Sequence, residues 1–285
     1  MKIAKKLLLQ LLLTVLSIIL ISGLPELIIN KNVTAYFEKV KAVFIEMVRL
    51  DEMTYFNQGT ERLFLNDIWG PYFYSLTILF GALFIAFCMA QILTWGTLML
   101  PSIIRKTVKN FLTFLESLPD LLVFALVQMG IVLIYKKTGI LVSNVASLGA
   151  DDRIYFVPIT CLMILPFVYF YKMMILMTED EMGKQYVETS LAKGMRRLYV
   201  LVFHVTRNTS EGIFHFSKSV LWFMISNLLL VEIIFNIHGI THYMYHDFRP
   251  EMLAACLILL VIPFFLIFAL FEWTIMRYSK RGEAL

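Results

Sequence analysis

Six long apolar stretches limit what this chain can fold into more than any other feature of its sequence. A helix needs about 20 consecutive apolar residues to cross the roughly 30 Å hydrocarbon core of a bilayer. A soluble protein with this much apolar surface would have nowhere to bury it. The pattern therefore predicts an all-α membrane protein with six transmembrane helices. We place them approximately at Leu7–Leu24, Tyr72–Leu93, Leu118–Tyr135, Ile154–Leu176, Val220–Phe235 and Met252–Met276.

Composition supports this prediction and excludes several other classes. Only 16% of the 285 residues are charged, whereas soluble domains carry about a quarter. The formal net charge is +4, but the basic residues flank the apolar stretches, so we expect no nucleic-acid partner. Cys88, Cys161 and Cys256 lie inside apolar stretches without metal-ligand spacing, and they read as small core residues.

The first apolar stretch has two interpretations. Lys2, Lys5 and Lys6 precede it, as in a secretory signal peptide. However, the stretch is long for such a signal, and Pro25 and Glu26 follow without a small-residue cleavage pattern. We favour a retained helix, although the sequence leaves open whether it is ever cleaved.

The distribution of basic residues predicts the orientation. Cytoplasmic loops of membrane proteins are enriched in lysine and arginine. With both termini in the cytoplasm, the inner segments hold Lys2, Lys5, Lys6, Arg105, Lys106, Lys109, Lys184, Lys193, Arg196, Arg197, Arg207, Lys218, Arg277, Lys280 and Arg281. The short outer loops hold Lys136, Lys137, Arg153 and Arg249. The outer segment 25–70 has helical apolar spacing from Val33 to Val48, which predicts an amphipathic helix on the outer surface.

The connection over residues 178–216 is the most informative inner segment. Thr178 to Glu181 has the form of a capping box, which predicts the start of a helix. Gly194 predicts its end, and a second helix is expected from about Arg196 towards Ser210. Such a loop is either a solvated connection with an interfacial helix or a docking surface for a cytoplasmic partner.

Residues within this loop resemble the cytoplasmic loop motif of ATP-binding-cassette (ABC) importer permeases, in the branch that transports dipeptides, oligopeptides and nickel. The broad family pattern is Glu-Ala-Ala, three residues and Gly, and Glu188, Thr189, Ser190 and Gly194 occupy those places. The branch pattern Tyr-Val-x-Thr-Ala-x-Ala-Lys-Gly differs from this chain only at Ser190.

Other segments resemble the same branch in the same order. They are Ser117-Leu118-Pro119, His204-Val205-Thr206-Arg207-Asn208, and the run from Val231 to Ile240. The chain also departs from the branch: Glu211-Gly212 replaces its Leu-Pro, and His238 replaces a proline. These departures indicate a divergent member and leave its substrate and partner choice open.

The resemblance implies a single permease domain over residues 1–285, in a bacterial plasma (inner) membrane, with the type I importer fold. Its partners would be a second homologous permease, two cytoplasmic ATPase subunits that bind ATP and Mg²⁺, and an extracytoplasmic binding protein. The loop helix would dock in a groove of the ATPase. The implied docking residues are Glu188, Thr189, Ser190, Ala192, Lys193 and Gly194. The chain has no phosphate-binding Gly-x-x-x-x-Gly-Lys-Ser/Thr loop, so we expect no enzyme activity and no cofactor in it.

Three alternatives remain. The chain could be a degenerate membrane scaffold or sensor that does not transport. It could also be a permease for metal chelates. His238, His242 and His246 are spaced by four, which would align three imidazoles on a helix as metal ligands, whereas Gly239 favours an ordinary loop there.

Overall fold

The structure is a computed structural model that describes residues 2–57, 60–140, 144, 146–147, 149 and 152–282. The side chains of the terminal basic residues Lys2, Lys5, Lys6, Arg277, Lys280 and Arg281 lie outside the described part. The helices are α1 (Lys2–Ser22), α2 (Leu24–Asn30), α3 (Val33–Val48), α4 (Phe64–Asp67), α5 (Trp69–Met99), α6 (Ser102–Glu116), α7 (Asp120–Thr138), α8 (Phe156–Met182), α9 (Gln185–Ala192), α10 (Arg197–Tyr199), α11 (Thr206–Ile234), α12 (Ile240–His246) and α13 (Pro250–Gly282). A π-helical segment, Val200–Val205, joins α10 to α11.

Six helical segments in the described residues are long and apolar enough to cross a membrane, which confirms the predicted all-α membrane fold. They are Leu8–Ile28, Trp69–Met99, Asp120–Thr138, Phe156–Met182, Arg197–Ile234 and Pro250–Leu270. The fifth begins far earlier than its apolar stretch, at Arg197 rather than Val220. Charged and polar side chains are frequent over residues 204–219, so hydropathy alone could not reveal this part of the helix.

The chain divides into two compact units. The first contains residues 1–76 and 238–285. Within it, α1, α3 and α13 pack around a small core in which Ile19, Val43 and Ala254 are almost completely buried. The helix predicted from Val33 to Val48 is present as α3, while its place on the outer surface stays a prediction. Asn32 caps it by accepting a hydrogen bond from the Thr34 amide at 3.0 Å.

The first unit also holds a short antiparallel hairpin that the sequence analysis did not predict. Its strands are β1 (Thr54–Asn57) and β2 (Thr60–Leu63), with Thr54 opposite Leu63. The segment between α12 and α13 holds the first strand in place. The Arg249 guanidinium donates to the Thr54 carbonyl at 2.6 Å, and the Asp247 carboxylate accepts from the Phe56 amide at 3.3 Å. A strand of four residues is too short to be recognised from alternation alone.

The second unit, residues 77–237, is built around α8. α11, α6 and α7 all pack against this helix. Ion pairs attach α6 to α8: Lys109 and Arg105 pair with Glu179, and Lys172 pairs with Glu116 at 2.6 Å. α8 therefore receives contacts along most of its length, and its end leads directly into the predicted docking loop.

Candidate docking site on the loop after the fourth span

Helix α9 is a short, exposed helix between α8 and α11. Lys184 precedes it in an extended conformation (φ −80°, ψ 148°), so α9 is separate from α8. Beyond its end, Gly194 has a φ of +84°. Glycine adopts this left-handed conformation at the least cost, and the Met195 amide then donates to the Ser190 carbonyl at 3.3 Å. The prediction that Gly194 stops the helix is confirmed.

The predicted start of this helix is wrong. Thr178 to Glu181 forms the last turns of α8, which continues to Met182. Thr178 is buried in the protein interior, and its side chain caps no helix. The segment has the form of a capping box, but its residues lie inside α8, where they pack against neighbouring helices instead of capping a new helix.

Glu181 connects the three segments that meet at this point. Its Oε1 atom accepts hydrogen bonds from the Tyr186 hydroxyl at 2.9 Å and from the Asn208 side-chain amide at 3.2 Å. Its Oε2 atom pairs with Lys184 Nζ at 2.6 Å. Burial, together with the bond to this carboxylate, raises the pKa of the Tyr186 hydroxyl, which keeps it protonated as a donor. Charge-assisted hydrogen bonds thus attach α9 to the end of α8 and the start of α11.

The six residues implied for docking lie together on α9 and the turn after it. Ser190 is half-buried, and its hydroxyl donates to the Tyr186 carbonyl at 2.8 Å within the helix. The hydroxyl that replaces the family's alanine is therefore satisfied locally. Val187, on the other face, is buried and anchors the helix. The remaining five are exposed: Glu188, Thr189, Ala192, Lys193 and Gly194.

An exposed apolar patch continues from α9 along the chain, and the sequence analysis did not identify it. Large apolar side chains are rarely exposed as a group unless they contact a partner or lipid. A helical projection of residues 191–203 cannot distinguish a patch that contacts a partner protein from a surface that faces lipid. The patch consists of Leu191, Met195, Leu198, Tyr199 and Phe203.

The π-helical segment joins this patch to the fifth span. The Thr206 hydroxyl donates to the Leu201 carbonyl at 2.9 Å, and it accepts from Trp95 Nε1 at 3.0 Å. π-Helical turns inside longer helices are rare and frequently mark functional sites. The second helix predicted from Arg196 to Ser210 is thus replaced by one continuous helical path into the membrane-spanning part of α11.

The three histidines follow α11 in the sequence and form a column in the first unit. His238 precedes α12, and His242 and His246 lie on it. Their ring centroids are 4.6 Å and 4.0 Å apart, and His242 Nδ1 is 2.7 Å from the Tyr245 hydroxyl. No three His, Cys, Asp or Glu side chains in the described part of the chain are arranged to hold a metal ion, so the geometry gives the metal hypothesis no support.

Comparison with protein families decides which class of membrane protein this is. Residues 82–281 match the family model described as "Binding-protein-dependent transport system inner membrane component". The chain belongs to this family. The match includes α9, the Glu181 contacts and the apolar patch. A search of curated proteins finds no match.

As a member of this family, the chain is the membrane permease subunit of an ABC importer, which is a transport component and not itself an enzyme. Family members work together with ATPase subunits and a binding protein. The six apolar spans agree with a multi-pass permease.

Proposed function

We propose that this permease imports peptides or similar small solutes as a member of the dipeptide, oligopeptide and nickel branch. The support is the branch-like run from Tyr186 to Gly194, whose helix and left-handed glycine have the conformations that a docking helix needs. Separate ATPase subunits would bind ATP and Mg²⁺ and supply the energy. A second homologous permease would complete the pathway, and an extracytoplasmic binding protein would deliver the solute.

The attachment of α9 is the observation that best supports this function. Glu188 and Lys193 are exposed charges that can contact a partner, whereas Tyr186 is bonded to Glu181 at the end of α8. A displacement of α9 is therefore passed to α8 and, through Asn208, to α11. Such a rigid connection would let closure of an ATPase pair rock the spans between inward- and outward-facing states.

The orientation belongs to the same proposal. With each of the six spans crossing the membrane once, the proposed topology puts the α9 loop and the hairpin on opposite sides. The excess of lysine and arginine beside α9 favours the cytoplasm for this loop. The outer segment 25–70 then faces the side from which a binding protein approaches.

The departure at Glu211-Gly212 gave the strongest reason to consider a non-transporting scaffold. In the structure both residues lie within the unbroken helix α11. A Cβ atom at Gly212 would lie 2.8 Å from the Met177 Cε atom, the flexible end of a side chain on α8, so Gly212 packs beside α8 without interrupting the helix. Because Glu211 and Gly212 fit into α11 without disrupting it, this difference from the family pattern favours a working permease over a degenerate one.

Affinity purification with a matched pair of glycine variants tests the proposal. Gly194→Leu and Gly139→Leu both place a side chain at a positive φ, +84° and +71°, where open space surrounds the glycine. The backbone cost is of the same order, about 1–2 kcal/mol. Only Gly194 lies beside α9, whereas Gly139 ends α7.

We expect the unaltered chain to co-purify with an ATPase pair and a second permease in mild detergent. Gly194→Leu should lose the ATPase, or keep it with ATP hydrolysis uncoupled from uptake, while Gly139→Leu retains coupled transport. Recovery of the chain alone, under conditions in which a known importer stays assembled, favours the scaffold. Normal uptake by Gly194→Leu contradicts the docking site.

A further inference from the structure

A charged cavity in the first unit has no role in the function proposed above. Its volume is about 250 Å³, many times the roughly 10–15 Å³ that a cavity needs to hold one water molecule. It is thus large enough for the end of a lysine- or arginine-like group. Its lining comes from α3, the turn between α3 and β1, the first residue of β1 and the segment between α12 and α13: Ile45, Glu46, Arg49, Glu52, Met53, Thr54 and Arg249.

Both arginines that line the cavity already face a carboxylate. The Arg249 guanidinium contacts both oxygens of Asp247, at 2.6–3.0 Å, and also the Thr54 carbonyl. These bonds lower the pKa of Asp247, despite the burial that opposes them, and keep the pair ionised. Arg49 pairs with Glu52 at 3.5 Å. The cavity therefore does not offer an uncompensated positive charge to an anion.

Glu46 is the uncompensated charge in this wall. Its carboxylate has no hydrogen bond or ion pair with any residue in the described ranges. Burial, and then the neighbouring Glu251 carboxylate, raise its pKa even though Arg249 and Lys39 act in the opposite direction. Around the cavity, four carboxylates (Glu46, Glu52, Asp247 and Glu251) face three cations (Lys39, Arg49 and Arg249), which leaves one negative charge in excess.

Glu251 adds an independent observation beside Glu46. Its side chain is only 5% exposed, and one oxygen pairs with Lys39 Nζ at 2.5 Å. The other oxygen, Oε2, is buried without a hydrogen-bond partner among the described residues. A buried anionic oxygen without a donor is costly, by about 1–3 kcal/mol or more. A positive charge placed at Glu46 would lower this cost as well.

We propose that this cavity binds an organic cation, an ammonium or guanidinium group on an apolar stem, with Glu46 as its counter-ion. The charged end of the ligand lies against Glu46 within the field of Glu251, and its stem contacts Ile45 and Met53. A divalent metal ion fits less well, because it needs several oxygen ligands, and Glu52, the other carboxylate in the lining, is paired with Arg49.

The cation can reach the cavity from two sources, and both share this chemistry. It can belong to a solute that enters the importer, or it can be a lysine or arginine side chain of the binding protein. The cavity lies in the part of the chain that we place on the outer side of the membrane. The choice between the two sources therefore rests on the proposed importer function, whereas cation binding itself does not.

Saturation-transfer NMR on the full-length chain in lipid nanodiscs tests the site directly. Ethylguanidinium is compared with N-ethylurea, a neutral molecule of almost the same shape. Glu46→Gln removes the proposed counter-ion, and Glu38→Gln makes the same change at an exposed position of α3. We expect saturation of ethylguanidinium only, about tenfold weaker affinity in Glu46→Gln, and no change in Glu38→Gln.

Equal saturation of both probes, or an equal loss in both variants, overturns the proposal. The assembled importer in proteoliposomes then assigns the source. Uptake of labelled agmatine that is lost in Glu46→Gln assigns the site to a solute. Competition between ethylguanidinium and the binding protein, lost in the same variant, assigns it to a partner side chain. An importer without any uptake would contradict the proposed function while leaving the probe result intact.

Discussion

Two residues at the candidate docking site act in different ways. Gly194 has a backbone conformation that other residues adopt only at a cost, so its contribution is to end α9 and reverse the chain. Glu181 contributes through its side chain, because one buried carboxylate accepts hydrogen bonds from Tyr186 and Asn208. The first residue shapes the loop, and the second fixes where the loop is attached.

Removal of one hydroxyl should loosen that attachment. Tyr186→Phe deletes a hydrogen bond to a carboxylate, which contributes about 1.5–3 kcal/mol. We expect the amides of α9 to exchange with solvent at least about tenfold faster, as measured by hydrogen–deuterium exchange and mass spectrometry.

Tyr199→Phe is the matched control for this measurement. Tyr199 is half exposed, and its hydroxyl makes no hydrogen bond within the described residues. The same substitution there should leave exchange in α9 unchanged. Similar effects in the two variants would show that Glu181 does not attach α9 through Tyr186.

At the level of elements, the histidine column makes α12 sensitive to pH. Burial, followed by the neighbouring charges of His246 and His238, lowers the pKa of His242 to about 4. The Tyr245 hydroxyl lies against the Nδ1 atom of His242. The charged groups that shift the pKa of His242 are the other two histidines. The column is thus stable while His242 is neutral.

Acidification should therefore destabilise the folded protein. Between the ordinary histidine pKa of 6.5 and the folded value of about 4, the unfolded chain binds a proton that the folded chain does not bind. Stability falls as pH decreases through this interval, and it changes no further from this group below the folded pKa. Melting temperatures measured from pH 7.5 to about 4 should show the loss.

Comparison of two histidine variants identifies the group responsible. His242→Asn should remove a large part of the pH dependence, whereas His215→Asn changes an exposed histidine on α11 and should preserve it. If both variants keep the full dependence, another group causes the acid destabilisation.

At the scale of the whole molecule, six spans imply that successive connecting segments lie on alternate sides of the membrane. Glu61 on β2 and Ala192 at the end of α9 are both exposed, and an odd number of spans separates them. The proposed topology therefore places them on opposite sides of the membrane. The buried Cys161 and Cys256 and the half-buried Cys88 contribute little background to cysteine labelling.

Single cysteines at these positions test the proposed orientation. An impermeant maleimide should label Glu61→Cys in intact cells and should label Ala192→Cys only after permeabilisation. The reverse pattern would invert the topology and place α9 where no cytoplasmic ATPase can reach it. Labelling of both from outside would show that fewer or more spans cross than the structure indicates.

The amino-acid sequence by itself determined the membrane class, the six spans and the end of α9. These features depend on local properties: runs of apolar residues long enough for a bilayer, and one glycine that can adopt a positive φ. The docking residues from Glu188 to Gly194 were likewise identified from a local pattern, and their role stays a prediction.

Only the tertiary structure decided which distant groups meet. Glu181 was assigned to a helix cap, but it is the common acceptor for Tyr186 and Asn208, the latter 27 residues away in the sequence. Glu46 and Glu251 influence each other from separate helices, and Arg249 reaches a strand 195 residues earlier. Hydrogen bonds and charge interactions of this kind depend on distance in space, which packing sets and which local periodicity does not encode.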